Sequence, residues 1–173
     1  IYLENPLIPK EFGNPFELPV NCRNTVKIAE HCSALIGCQS KARNGAPIGD
    51  EPEFVQARDI SGGFKKAGKQ VRKWCMTNAG GLKYSQVVVL APRSSQSEWP
   101  DDFQAIPITT EFEKWRKNDG VLISSWGRFK GLEADAIIII EPVSPHSGID
   151  DTDRYVARSR AKLLLVIIQV HDV

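Results

Sequence analysis

Apolar residues in this chain come in short runs bounded by turn formers. Val87–Ala91 (VVVLA), Val121–Ser125 (VLISS), Ala136–Ile140 (AIIII) and Leu163–Val170 (LLLVIIQV) are the clearest. Runs of this length, rich in β-branched residues, predict buried strands of a parallel sheet. Weaker runs at about 54–58 and 105–108 predict two more strands. Between the runs the period changes to that of a helix. Ile28, Ala29, Cys32, Leu35 and Ile36 fall on one stripe, with Asn24 as candidate N-cap and Gly37 as candidate stop. Phe64, Ala67, Val71, Trp74 and Cys75 form a second stripe, ended by Gly80-Gly81. Thr110-Glu111-Phe112-Glu113 reads as a capping box opening a short helix through Trp115. Asp150, Asp151 and Asp153 favour the start of a helix running to Arg160 or Lys162. Strands alternating with helices predict a doubly wound α/β domain over 18–173. Residues 1–17, with Pro6, Pro9 and Pro15, predict an extended lead-in or linker.

Length and charge narrow this picture. A chain of 173 residues suffices for one domain with its own core. The longest apolar runs are far too short to span a bilayer, so no membrane partner is expected. No signal peptide is evident at the amino end, and a cytoplasmic setting is expected. The chain opens on Ile1, which reads as an excised piece of something longer. Net charge is +1, so any nucleic-acid contact is local or shared with other domains. The four cysteines form no CxxC pair, and they read as buried free thiols rather than metal ligands.

One stretch nearly spells a phosphate-binding loop. Gly63-Phe64-Lys65-Lys66-Ala67-Gly68-Lys69-Gln70 has the glycine and lysine spacing, but Gln70 replaces the hydroxyl that should reach Mg²⁺. The segment before it is a poor buried strand, and bulky side chains would crowd amides that must wrap a phosphate. The preferred reading is the lysine-rich outer face of an amphipathic helix. A self-sufficient P-loop ATPase is the weaker alternative.

Three separated stretches then share one resemblance. Asn21-Cys22-Arg23-Asn24 precedes a helix. Lys130-Gly131-Leu132-Glu133 lies between two apolar strands. Tyr155-Val156-Ala157-Arg158-Ser159-Arg160-Ala161 precedes another. In this order they resemble the second motor domain of superfamily 1 helicases of the UvrD/Rep type, over residues 18–170 or so. The resemblance implies a three-layer αβα RecA-like fold without its own Walker A motif. It implies an ATP-dependent DNA helicase with single-stranded or duplex DNA as its partner, and a repair role as the family-level expectation. ATP and Mg²⁺ would be bound mainly by an N-terminal RecA-like domain of the same chain, absent here. Arg160 and Arg23 would be the catalytic arginines reaching the γ-phosphate, Arg160 as the arginine finger. Glu133, Gly131 and Lys130 would bind the nucleotide, and Ser124, Ser125 and Trp126 would contact single-stranded DNA. The physical case for the arginines is that a planar, permanent guanidinium neutralises charge on transferring phosphoryl oxygens.

Two positions depart from the family pattern. Gly127 stands where a histidine is common, so a stacking contact is lost or passes to Trp126. Arg158 stands where an apolar residue is common and reads as a surface charge rather than an extra phosphate contact. A non-catalytic RecA-like binding or scaffolding module is the alternative of a different class.

Overall fold

Two sheets, one parallel and one mostly parallel, carry the architecture of the computed structural model, which describes residues 20–37, 41–76, 81–144 and 147–172. The small one pairs β1 (Val20–Asn21) with β2 (Lys41–Ala42). The large one contains β3 (Glu53–Asp59), β4 (Val87–Ala91), β5 (Asp102–Phe103), β6 (Ile106–Thr109), β7 (Val121–Ser125), β8 (Ala134–Pro142) and β9 (Ala161–Asp172). Their order is β3-β9-β8-β4-β7-β6-β5, and only the β5–β6 pair is antiparallel. The six strands expected from the apolar runs all form, with ends moved by up to two residues.

Strand parity divides the core in two. Val87, Val89, Val121, Ile123, Ile138 and Ile168 face one side, under Phe64, Ala67 and Val71 of α2 (Ile60–Cys75). Val88, Leu90, Leu122, Ile137, Ile139 and Ile167 face the other. That side is covered by α1 (Val26–Leu35), α3 (Phe112–Arg116) and α4 (Asp151–Arg158), through Ile28, Trp115 and Ala157. The result is a three-layer αβα domain. Both faces of the central strands are dry, which is why their sequences read as unbroken apolar runs.

Gly63–Gln70 lies wholly inside α2, which Asp59 caps by accepting from the Gly62 amide at 2.7 Å. Its amides serve the helix and cannot wrap a phosphate, so the P-loop reading falls. The glycine spacing has a packing cause instead. A Cβ on Gly63 would sit 3.2 Å from Ile140 and 3.3 Å from Val170, and one on Gly68 would sit 3.1 Å from Phe103. These glycines let the helix approach the sheet.

Several local expectations change. Thr25, not Asn24, is the N-cap of α1; its helix amides are met by the Pro47 and Ile48 carbonyls, which bond to Val26 at 2.9 Å and Lys27 at 3.1 Å. Asn24 is diverted to a tertiary role described below. The capping box at Thr110 does not form: Glu111 is the N-cap of α3, and its amide donates to the Thr109 hydroxyl at 3.0 Å. Asp150 does cap α4, but that helix ends at Arg158. Cys32 is buried and Cys22 exposed, against the expectation of buried thiols throughout. Burial pushes the Cys75 thiol up to about 11. The lead-in at 1–17, Cys38 and Gly80 lie outside the described residues. Among the described residues, no helix is long and apolar enough to cross a membrane.

Candidate functional site

The turn before α1 is built by Asn21. Its side-chain oxygen accepts from the amides of Arg23 at 2.9 Å and Asn24 at 3.1 Å. The Asn24 amide nitrogen then donates to two carbonyls, Ser159 at 2.9 Å and Ala161 more closely. The Thr25 amide adds a bond to the Lys162 carbonyl at 3.0 Å. The Arg23 turn is thus stitched to the backbone on either side of Arg160, 135 and 137 residues away in the two Asn24 bonds. The third segment joins through Ala134, whose amide donates to the Arg160 carbonyl at 3.2 Å.

Side chains follow the backbone. Arg23 Nε lies 2.7 Å from Glu133 Oε2, with both side chains nearly half exposed. Arg160 is 8% exposed. Its Nη1 makes one long bond of 3.4 Å to the Leu132 carbonyl, and its Nε is buried without a partner. Among the described residues no carboxylate pairs with it. Lys130 and Gly131 lie exposed on the adjoining turn, where Gly131 has φ +89° and open space around it. A positive φ of that size suits glycine. The segments carrying Arg23, Glu133 and Arg160 therefore come together on one rim, at the amino ends of β8 and β9, with Arg23 and Glu133 paired and Arg160 largely covered. That is the opposite edge from the one where parallel sheets usually hold ligands.

The carboxyl edge holds something else. A cleft of about 780 Å³ opens beyond the ends of β4 and β7, lined in part by Arg93, Gln96, Trp99, Ser125, Trp126 and Arg128. Arg128 stacks over the Phe112 ring at 5.2 Å. The Trp126 indole N–H is buried without a partner, while the rest of the side chain packs on the core. Ser124 is fully buried, whereas its neighbour Ser125 lines the cleft. Gly127 is exposed, and a Cβ added there would meet nothing within 4 Å, so this edge of the cleft has open space where a side chain could stand.

Arg158 is not a surface charge. It is buried, with Nη2 2.7 Å from Glu141 Oε2 and Nη1 3.0 Å from His31 Nε2. Glu141 is 2% exposed, and its other oxygen takes Arg154 Nε at 2.9 Å. Arginine only donates, so His31 Nε2 must accept and the neutral imidazole carries its proton on Nδ1. Burial, then the Arg158 charge, holds the His31 pKa below its ordinary value. This network ties α4 to β8 and α1. No sequence signal pointed to it beyond Glu141 sitting against an apolar run. Among the described residues no group of three or more His, Cys, Asp or Glu side chains could hold a metal ion.

No family model matches the chain, and no curated protein matches it. Solved structures do. One is the C-terminal domain of a possible DNA helicase from Lactobacillus plantarum WCFS1, similar at 17% identity and a TM-score of 0.60, over 88% of this chain and 89% of that one. The likeness is one of fold. It agrees with the three-layer, mostly parallel αβα arrangement, which is RecA-like.

Proposed function

We propose that this chain is the second motor domain of an ATP-dependent DNA helicase. The observation that carries the reading is the rim where the segments of Arg23, Glu133 and Arg160 come together, joined through Asn24. ATP with Mg²⁺, held mainly by an N-terminal RecA-like domain of the same chain, would supply the phosphoryl group. The residues here fit that role from one side. A half-exposed ion pair such as Arg23–Glu133 is worth about 0–1 kcal/mol, so phosphate oxygens can take Arg23 from it. Glu133 is then free to accept from the ribose. Arg160 carries a permanent charge with an unmet donor, and it serves as the finger that neutralises developing charge. Lys130 and Gly131 shape the turn beside it.

The carboxyl-edge cleft takes the other ligand. Two arginines and two tryptophans suit single-stranded DNA, with phosphates tracked by charge and bases stacked on indoles. Ser125 and Trp126 are its contacts from the β7 end. α4 links the two edges: Asp153, near its start, lines the cleft, and its end leads into Arg160. A shift of α4 on DNA binding would move the arginine rim, which is the coupling a motor needs. A cytoplasmic setting goes with that role.

The test is Arg160→Ala in the full-length protein. DNA-stimulated ATP turnover should fall by about 10³–10⁵ in kcat. Unchanged turnover would refute the reading. A second reading is favoured by the cover over Arg160, which is a non-catalytic RecA-like module. In that case Arg160→Ala lowers stability and leaves any ATP turnover alone.

A further inference from the structure

α2 contains no acidic residue, and its solvent face carries Lys65, Lys66, Lys69, Arg72 and Lys73, all exposed. The whole chain has a net charge of only +1, so these cations are segregated rather than typical. Ion pairs among the described residues involve Arg23, Lys27, Lys114, Arg154, Arg158 and Lys162, none of them on α2. The spacing keeps the five on one face for two turns. From residue 65 to residue 73 the helix rises about 12 Å, which spans roughly three phosphates of one duplex strand.

We propose that this face binds the phosphate backbone of duplex DNA. Single strands are recognised by charge together with aromatic platforms. α2 offers no exposed ring, because Phe64 is buried and Trp74 packs against the core. A membrane surface would need an apolar strip beside the charges. The apolar side of α2 is spent on the sheet. What is left reads phosphates and nothing more, which suits a rigid, regular backbone. The placement agrees. The first turns of α2 and the segment through Glu98 and Pro100 share a small recess of about 210 Å³. The other side of that segment, at Arg93 and Gln96, forms a wall of the cleft. A duplex on α2 would therefore lie beside a strand in the cleft, as at a junction of paired and unpaired DNA.

The proposal rests on the DNA-binding part of the functional reading but not on ATP turnover. Its test is fluorescence anisotropy of the chain with a short DNA duplex and, separately, an oligothymidine, from about 50 to about 200 mM salt. The variant is Lys65→Gln, Lys69→Gln and Lys73→Gln together, all exposed and all replaced by a good helix former. Losing three phosphate contacts should cut the slope of log K against log salt by about 3 and weaken duplex binding at least tenfold at low salt. Oligothymidine binding should change little. Duplex binding with an unchanged slope overturns the proposal, as does a variant defect seen only with phosphatidylserine vesicles. If the unaltered chain binds oligothymidine but not duplex, the α2 proposal fails alone. If it binds neither, the DNA reading fails with it.

Discussion

Glutamine in place of Glu141 is the most informative single change in the interior. The carboxylate is 2% exposed, and its two oxygens hold Arg154 at 2.9 Å and Arg158 at 2.7 Å. The Arg158 side chain is 5% exposed, so neither member of that pair can turn to water when the other is removed. Arg154 is better placed, at 21% exposed with Asp151 at 2.9 Å as a second partner. Breaking a buried pair by deleting one charge costs about 3–5 kcal/mol, because the other charge stays buried. That is a large part of the roughly 5–15 kcal/mol that holds a domain together. For a chain of this size about 2–4 °C of Tm goes with each kcal/mol, so Glu141→Gln should lower Tm by roughly 6–20 °C. Urea melts of the same variant should give the matching free energy. The double variant Glu141→Leu with Arg158→Met should be far less damaged than the sum of its singles, since an apolar pair of similar volume is neutral or stabilising. A Glu141→Gln cost below about 1 kcal/mol would refute this account, and so would a double variant equal to that sum.

Two further outcomes are expected. Trp126→Ala should weaken oligothymidine binding by about 1–3 kcal/mol, read by anisotropy at a temperature where the variant is folded, and should also lower Tm because the ring packs on the core; an unchanged affinity would make Trp126 a packing residue only. The folded His31 pKa is depressed by burial and by Arg158, with the charges of Glu141 and Glu51 opposing. The unfolded chain therefore binds the proton more readily, so stability is full above about pH 6.5 and declines as pH falls through the lower folded value. Urea midpoints should show that acid loss, and His31→Gln, which keeps an acceptor for Arg158, should flatten it.

What the sequence determined by itself is the secondary structure of the core. Runs such as VVVLA and AIIII can be satisfied only by strands dry on both faces, so they located the sheet and implied helices on each side. Strand parity could have separated Ser124 from Ser125, which the resemblance groups as contacts: successive strand residues point oppositely, and one is buried while the other lines the cleft. Long-range partnership was not legible. Asn24 looked like a helix cap because a cap is a local bond, yet its amide serves carbonyls at Ser159 and Ala161. Arg158 looked solvated because arginine usually is, and only the arrival of Glu141 and His31 from other elements makes burial tolerable. The same holds for the rim of Arg23, Glu133 and Arg160. Their types and order are written along the chain, but the meeting of their segments depends on β8 lying beside β9 and on the turn before α1 being bonded across to β9. Those contacts join residues far apart in sequence, and local periodicity carries no information about them.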